Sequence, residues 1–219
     1  MQQRASRIAA DGSPVLVYAR LPPGTAEADV ITSAVRPGAH LLELGAGTGR
    51  VTHVLLARGY AVTAVDNSPE MLACIQGAET VEADIETLAL GRRFDAVILG
   101  SHMVNTDDDV QRRAFLRACR DHVADHGIVL IEHHTAAWLQ TANDGESQAG
   151  DVVVALRDVR RHAPFVTATA EYRVDGHVFR QPFTARIFHQ AELAQELRDA
   201  GFGTVAPLNA TWTLAHPAT

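Results

Sequence analysis

Three closely spaced glycines in the first quarter of the chain constrain its fold more than any other feature. Residues 41–50 read LLELGAGTGR, a short apolar run that ends in Gly45, Gly47 and Gly49. The overlapping segment 48–58 carries apolar residues at helical spacing. Glycines at a strand-to-helix turn allow a tight backbone path and let a ligand lie against the main chain. The spacing G-x-G-x-G differs from the dinucleotide fingerprint G-x-G-x-x-G, so we expect a ligand other than a pyrophosphate.

Acidic residues lie within or at the end of the first three predicted strands. Glu43 lies inside the first strand, where a negative charge suits an amino-acid ligand with a cationic group. Asp66 ends the second strand and can accept hydrogen bonds from both hydroxyls of a ribose. Asp84 ends the third strand, where it can accept from an adenine amino group with Ile85 beside the ring. Ligands of open parallel sheets bind at these strand ends, so we expect one nucleoside-binding site here.

Between residues 39 and 132, short apolar runs alternate with helical stretches. The predicted strands are 41–44, 61–65, 80–82, 94–99 and 128–131. The predicted helices are 48–58, a helix opened by Ser68 and Pro69, and 107–125, with Val110, Phe115, Cys119 and Val123 on its buried side. Alternation of strand and helix predicts an α/β fold with a parallel sheet covered on both faces.

In the last third of the chain, the alternation of strand and helix patterns gives way to consecutive strand patterns. Segments 151–160, 165–174 and 177–188 are rich in Val, Thr, Phe and Tyr, and Asp175-Gly176 is a strong hairpin signal. These features predict a three-stranded antiparallel meander inserted after the fifth strand. A helix at 190–200 and one or two strands within 204–214 follow. The polar segment 141–151 is predicted to be a loop or an internal boundary.

Composition excludes several classes of function. The chain has 219 residues, with 19 Lys and Arg against 26 Asp and Glu and a formal net charge of −7. This acidic balance, with no basic run longer than a pair, argues against a nucleic-acid partner. The two cysteines, Cys74 and Cys119, are too few for a disulfide framework, so we expect a cytoplasmic protein. We expect neither a signal peptide nor a membrane helix, because no apolar run is long enough.

The order and spacing of Glu43, the three glycines, Asp66 and Asp84 resemble the class I methyltransferases that depend on S-adenosylmethionine (SAM). The resemblance is close over residues 39–132. It implies a Rossmann-like, doubly wound, mostly parallel seven-stranded sheet with an antiparallel last strand and helices on both faces. It also implies one domain over residues 1–219, comprising a helical cap (1–38), a cofactor-binding core (39–134) and antiparallel strands flanking the acceptor site (151–188).

The same resemblance implies SAM as the cofactor and S-adenosylhomocysteine as its product. In this family the glycine loop carries the methionine part, and acids after the second and third strands hold the ribose and adenine. The residues expected to contact the cofactor are Tyr18, Glu43, Gly45, Ala46, Gly47, Gly49, Asp66, Asn67, Met71, Asp84, Ile85, Ser101, His102 and Met103. Tyr18 either closes over the cofactor or packs a helix onto the core.

Methyl transfer from a sulfonium needs mainly the alignment of the reacting atoms and the removal of a proton. Candidate bases follow the fourth strand (His102) and the fifth (His133 and His134), and His133 is expected to contribute most. Asn105 is expected to orient a polar acceptor. His133 and His134 have an alternative interpretation as strand caps or as partners of loop carbonyls. Glu132 beside two histidines suggests a metal, but the spacing is wrong for His-Glu-x-x-His, so no metal is expected.

The chain lacks the Asn/Asp-Pro-Pro-Tyr tetrapeptide of enzymes that methylate amide or adenine nitrogens. Its plan resembles small-molecule N- and O-methyltransferases of bacterial secondary metabolism, so we expect a small-molecule acceptor and a monomer or homodimer. Two alternatives remain: methylation of a peptide, protein or RNA, and non-catalytic SAM binding. The meander residues Tyr172, Arg173, Arg180, Gln181 and Arg186 either contact an acceptor carboxylate or form the solvated face of a sheet.

Overall fold

The computed structural model describes residues 8–9 and 11–218, and these form eleven strands and seven α-helices. The strands are β1 (His40–Leu44), β2 (Ala61–Asp66), β3 (Glu79–Glu82), β4 (Phe94–Leu99), β5 (Val123–Glu132), β6 (Gly145–Ala149), β7 (Val152–His162), β8 (Phe165–Val174), β9 (His177–Arg186), β10 (Phe202–Pro207) and β11 (Trp212–Pro217). The helices are α1 (Val15–Tyr18), α2 (Thr25–Ala34), α3 (Thr52–Ala57), α4 (Pro69–Leu72), α5 (Asp109–His122), α6 (Ala136–Thr141) and α7 (Gln190–Asp199). In the part of the chain so described, none of the helices is long and apolar enough to cross a membrane.

A seven-stranded sheet forms the centre of the fold, in the order β10-β11-β5-β4-β1-β2-β3. Strands β1 to β5 pair in parallel, whereas β11 runs antiparallel to both β5 and β10. The predicted α/β fold and mostly parallel sheet are confirmed. The carboxyl ends of β1, β2, β4 and β5 therefore meet at one edge, where ligands bind in sheets of this kind.

Helices cover both faces of this sheet because alternate strand residues point to opposite sides. Leu42 and Leu44 of β1 pack with residues of α5 and α7 in one apolar cluster. Leu41 of the same strand packs in a second cluster with Ala28 and Ile31 of α2. Burial on both faces explains why the strands read as continuous apolar runs and not as an alternating pattern.

The helix at 107–125 and the strand after it have different bounds from those predicted. Helix α5 begins at Asp109, because the side chain of Asp108 accepts the backbone N–H groups of Val110 and Gln111 as an N-cap. Val110 is 73% exposed, so its predicted burial is wrong, whereas Phe115 is buried. Strand β5 follows α5 directly and is longer than the predicted 128–131.

A second sheet of four antiparallel strands, β6-β7-β8-β9, follows the fifth strand of the core. We predicted three strands and a loop at 141–151, and the loop prediction is wrong for β6. This strand is polar and exposed, so it carries no apolar alternation, and its pairing with β7 stabilises it. Glu146 of β6 also forms ion pairs with Arg157 of β7 and Arg173 of β8, at 3.1 Å and 2.8 Å.

The N-terminal segment connects the glycine loop to the second sheet. Thr48 Oγ1 in the glycine loop donates a 3.0 Å hydrogen bond to the carbonyl of Tyr18 at the end of α1. Val17 of the same helix packs against Val152 and Val174 of the second sheet. Residues 1–7 and 10 of the predicted cap lie outside the described residues, and the domain boundaries stay predictions.

Candidate functional site

The glycine loop has the backbone that its sequence predicts. Gly45, Gly47 and Gly49 have φ angles of +72°, +55° and +81°, a region that side-chain-bearing residues rarely adopt. A Cβ on Gly45 would come within 2.6 Å of Met103 Sδ. A Cβ on Gly47, by contrast, would meet no other heavy atom of the described chain within 4 Å. The bare backbone at Gly47 therefore leaves space for a ligand to lie against the loop.

Asp66, at the end of β2, lies beside this loop. Its Oδ2 accepts a 2.8 Å hydrogen bond from the Gly47 N–H, and its Oδ1 accepts one of 2.9 Å from the Ser68 N–H. Burial raises the pKa of this carboxyl above its ordinary value, although the backbone hydrogen bonds act in the opposite direction. Each oxygen keeps a lone pair beyond its backbone bond, so a ligand hydroxyl can still donate to it.

A cavity of about 280 Å³ opens over the glycine loop and Asp66; we call it the cofactor-side cavity. Of the residues predicted to contact a cofactor, nine line it: Tyr18, Gly45, Gly47, Asp66, Asn67, Met71, Ile85, Ser101 and Met103. The sequence did not predict the remaining lining residues as cofactor contacts; they are Ala9, Asp11, Ser13, Ala83, Glu86, Gln111, Phe115 and Gln181. Most of these lie far from the glycine loop in sequence and reach the cavity through the N-terminal segment, α5 or the second sheet.

Five residues of the predicted cofactor set do not line this cavity: Glu43, Ala46, Gly49, Asp84 and His102. Glu43 is buried beneath the loop, where its Oε2 accepts a 2.6 Å hydrogen bond from Thr52 Oγ1. Burial raises the pKa of Glu43 to about 7. The side chain of Asp84 is exposed, and its Oδ1 accepts a 2.9 Å hydrogen bond from Asn67 Nδ2. Asp84 thus reaches the cavity only through Asn67.

A larger cavity of about 620 Å³ lies between the core and the second sheet; we call it the acceptor-side cavity. Its walls include Glu132 and His134 from the end of β5, Trp138 from α6 and Tyr172 from β8. Tyr18, Ser101 and Gln181 line both cavities. The two cavities therefore adjoin at these three residues, so a group bound in one lies next to a group bound in the other.

Two of the three predicted histidines meet in the acceptor-side cavity. The rings of His102 and His134 lie 3.8 Å apart between centroids, and His134 stacks on Trp138 at 4.6 Å. Both Ser101 and His102 have positive φ angles, +53° and +55°, which carry the chain after β4 into this cavity. Burial lowers the pKa of His102 to about 4 and that of His134 to about 3, so both rings are neutral at pH 7.

His133 lies apart from the other two histidines. It lines a separate cavity with Phe188, His189 and Thr213, because neighbouring residues after a strand point to opposite sides. Its Nδ1 lies 3.2 Å from the His134 carbonyl oxygen and its Nε2 lies 3.1 Å from Thr213 Oγ1. The geometry does not support the expectation that His133 contributes most to the chemistry.

Glu132 is a site residue that the sequence analysis missed, because we considered it only as a metal ligand. Its Oε2 accepts a 2.7 Å hydrogen bond from the backbone N–H of Ser101. Burial raises the pKa of Glu132 to about 7, against the opposing effect of that hydrogen bond. The position of Glu132 at the carboxyl end of the fifth strand, where ligands of parallel sheets bind, could have identified it from the sequence. Within the described residues, no group of three or more His, Cys, Asp or Glu side chains is placed to hold a metal ion.

Asn105 has a different role from the predicted one. It is 2% exposed, and its Oδ1 accepts a 2.9 Å hydrogen bond from the His134 N–H. Its Nδ2 donates a 2.8 Å hydrogen bond to the carbonyl of Arg186. Asn105 therefore joins the segment after β4, the segment after β5 and the end of β9, and it does not line the acceptor-side cavity.

The meander residues divide into two groups. Tyr172 and Gln181 line the acceptor-side cavity, whereas Arg173, Arg180 and Arg186 do not. Arg173 and Arg180 form ion pairs with Glu171, at 3.3 Å and 2.9 Å. Arg186 forms one with Asp109 at 3.0 Å. The structure does not support the interpretation that these arginines contact an acceptor carboxylate.

Comparison with known proteins agrees with this geometry. Residues 41–127 match a family model described as a methyltransferase domain, and no curated protein matches the chain significantly. A solved SAM-dependent methyltransferase from Clostridium acetobutylicum superposes with a TM-score of 0.71 at 17% identity, covering 86% of this chain and 88% of that chain. The predicted resemblance to class I SAM-dependent methyltransferases is confirmed by the family model and by the shared fold.

Two further solved structures have the same fold. One is the SAM-bound amino pentose methyltransferase from Micromonospora echinaspora, with a TM-score of 0.67, 21% identity and 89% of both chains covered. The other is the sugar N-methyltransferase from a Streptoalloteichus species, with a TM-score of 0.64, 22% identity and coverage of 100% of this chain and 91% of that chain. At these identities the likeness establishes the fold.

Proposed function

With the class I, Rossmann-like methyltransferase fold as premise, we propose that this chain transfers a methyl group from SAM to a nitrogen or oxygen atom of a small molecule. S-adenosylhomocysteine is then the second product. The observation that carries the proposal is the meeting of the cofactor-side and acceptor-side cavities at Tyr18, Ser101 and Gln181. A transferase needs two adjoining sites of this kind, because donor and acceptor must react in direct contact.

The cofactor-side cavity fits SAM by the chemistry of its walls. The open space over Gly47 accommodates the methionine part, and the carboxylate of Asp66 can accept both ribose hydroxyls. The side chains of Met71, Ile85 and Phe115 offer apolar contacts to a purine ring. Asp84 does not line the cavity, but it accepts a hydrogen bond from Asn67, which does. We propose that Asp84 interacts with the adenine amino group indirectly, through Asn67.

When bound, SAM supplies a methyl group on a sulfonium, which leaves as neutral thioether once the methyl is transferred. The protein's own part is to orient the acceptor, to exclude water and to take up a proton. The rings of His102, His134 and Trp138 follow one another along one wall of the acceptor-side cavity, with His134 tilted against His102 and stacked on Trp138. We propose that this row of rings positions the acceptor against the residues that both cavities share.

The size of the acceptor-side cavity supports a small molecule as acceptor. A volume of about 620 Å³ lies within the range of cavities that bind small ligands, about 300–1,000 Å³. The net charge of −7 disfavours a nucleic-acid acceptor. The fold relatives that act on an amino pentose and on a sugar nitrogen add support for this substrate class.

The proposal is tested by incubating the protein with SAM and a panel of small amines and alcohols. Mass spectrometry measures both the methylated product and S-adenosylhomocysteine. We expect transfer to at least one member of the panel. Binding of S-adenosylhomocysteine without any transfer would instead favour a peptide, protein or RNA acceptor, or a non-catalytic SAM-binding protein.

A further inference from the structure

Three carboxylates line the acceptor-side cavity, and they differ in their partners. Glu27 forms an ion pair with Arg50 at 3.6 Å, and Glu146 pairs with two arginines of the second sheet. Glu132 has no Lys or Arg nitrogen within 4 Å among the described residues, and its nearest basic nitrogen is His102 Nδ1 at 4.0 Å. Because burial keeps the imidazole of His102 neutral, Glu132 lacks a cationic partner.

His102 also lacks a partner. Its Nδ1 is buried and makes no hydrogen bond within the described part of the chain. The distance of 4.0 Å to Glu132 Oε1 is too long for a hydrogen bond. Glu132 Oε1 makes no hydrogen bond either and, unlike His102 Nδ1, it is not a buried atom among the described residues. Glu132 Oε1 thus defines a position on this cavity wall for an N–H donor of a ligand.

The rest of the wall favours an organic cation. Tyr18, Trp138 and Tyr172 line the same cavity, and aromatic faces attract alkylammonium groups by cation–π interaction. A free carboxylate among aromatic rings therefore recognises a positively charged amine and not a neutral alcohol.

We propose that Glu132 binds the acceptor as an alkylammonium ion and removes the proton that occupies its nitrogen lone pair. This inference rests on the proposed function and specifies its substrate class as a basic primary or secondary amine. In the step, an N–H bond of the ammonium breaks and an O–H bond forms on the Glu132 carboxylate. The bonding electron pair stays on nitrogen as the lone pair that accepts the methyl group, and Glu132 later returns its proton to water.

The electrostatics around Glu132 agree with this role. Burial raises the pKa of Glu132 to about 7, Glu27 raises it further, and the Ser101 N–H and Arg50 lower it. His102 and His134 line the same cavity as Glu132, and both are neutral at pH 7. At that pH Glu132 is therefore partly ionised and is a stronger base than either imidazole, whose pKa values are about 4 and 3.

The test compares wild-type protein with Glu132→Gln, whose amide oxygen can still accept from the Ser101 N–H. Glu79→Gln is the matched control, because Glu79 is an exposed carboxylate on β3 that lines neither cavity. Calorimetry first measures S-adenosylhomocysteine binding to all three proteins. The proteins loaded with S-adenosylhomocysteine are then titrated with two matched pairs of an amine and an alcohol. The pairs are cyclohexylamine with cyclohexanol, and glucosamine with glucose. In separate reactions with SAM, initial rates of methyl transfer to each amine and to each alcohol are measured from pH 6 to 10.

We expect the loaded wild type and Glu79→Gln to bind at least one amine more tightly than its matched alcohol. Glu132→Gln should bind that amine about 10–100-fold more weakly, because a charge-assisted hydrogen bond is lost. At pH 7 its kcat/KM should fall about 10²–10⁴-fold. This loss in kcat/KM should shrink towards pH 10, where the amine is already deprotonated and needs no base. The pH profile of Glu132→Gln should therefore follow the pKa of the amine and not that of Glu132.

Equal binding of every amine and its matched alcohol by the loaded wild type would overturn the inference. Equal amine binding and an unchanged pH profile in Glu132→Gln would also overturn it. Either result leaves the proposed function standing if the wild type binds S-adenosylhomocysteine and methylates an alcohol. Failure of the wild type to bind S-adenosylhomocysteine would instead overturn the proposed function, and the first titration reveals this before any amine is added.

Discussion

The carboxylate of Asp66 accepts a 2.8 Å hydrogen bond from the backbone N–H of Gly47, which joins the end of β2 to the glycine loop after β1. Both residues line the cofactor-side cavity. One carboxylate thus holds the loop in its left-handed conformation and presents acceptor atoms to the ligand beside it. The loop and the proposed ribose contact are therefore coupled through a single side chain.

Replacing Asp66 by alanine should weaken cofactor binding. The substitution removes the acceptor for two ribose hydroxyls, so we expect a loss of roughly 2–4 kcal/mol in the binding free energy of S-adenosylhomocysteine. Calorimetry measures the affinity, and circular dichroism checks that the variant is folded. Asp66→Asn, which keeps one acceptor oxygen, should lose less. An unchanged affinity in folded Asp66→Ala would show that the ribose is held elsewhere.

His102→Ala and His134→Ala should affect turnover more than cofactor affinity. Both rings line the acceptor-side cavity, and His134 lies between His102 and Trp138. Loss of an acceptor-positioning group should lower kcat/KM by about 10²-fold, since misplacement of reacting groups by about 1 Å costs that much. His133→Ala should act mainly on stability, because its ring contacts Thr213 outside this cavity. A larger loss of turnover in His133→Ala than in His134→Ala would contradict the site as described.

Asn105→Ala should destabilise the protein and lower its turnover together. The substitution leaves the His134 N–H and the Arg186 carbonyl without their partner, and each buried unsatisfied group costs about 1–3 kcal/mol. Urea denaturation measures the free energy of unfolding. The turnover loss should arise because the segment that carries His134 is no longer held against β9. A variant with wild-type stability would show that water replaces the amide.

Glu43→Gln should change the pH dependence of stability. Glu43 titrates near 4.5 in the unfolded chain and near 7 in the folded protein, so the folded state binds more protons between these values. Its contribution to stability therefore falls as the pH rises through this window. Relative to wild type, Glu43→Gln should gain on the order of 3 kcal/mol in unfolding free energy between pH 4 and pH 8. Parallel pH–stability curves for the two proteins would contradict the burial of an ionisable Glu43.

The sequence predicted the core of the fold well because two local signals agree there. Apolar runs alternate with helical stretches, and the positive φ angles of Gly45, Gly47 and Gly49 require glycine. Strand β6 escaped prediction because a polar edge strand has no apolar alternation and depends on its neighbour for stability. Local pattern carries information about an element only when that element's own side chains are buried.

The candidate site was predictable in its cofactor half and not in its acceptor half. Asp66 and Gly47 come from strand ends that a parallel sheet brings to one edge. The acceptor-side cavity instead depends on how the second sheet packs over that edge, which no local pattern specifies. Which of His133 and His134 faces the cavity depends on the orientation of one residue after β5. Asn105 was expected to orient a polar acceptor, but its amide is buried between two backbone groups that come from distant parts of the chain.

Titration of the protein with S-adenosylhomocysteine in a calorimeter tests the central claim most directly, with NAD as the competing ligand class. The glycine loop, Asp66 and the cavity that they line together predict binding with a micromolar dissociation constant, about 8 kcal/mol of binding free energy. NAD should not bind, because the loop spacing is not that of a pyrophosphate site. Binding of NAD without binding of S-adenosylhomocysteine would contradict the claim that the glycine loop and Asp66 form a SAM-binding site.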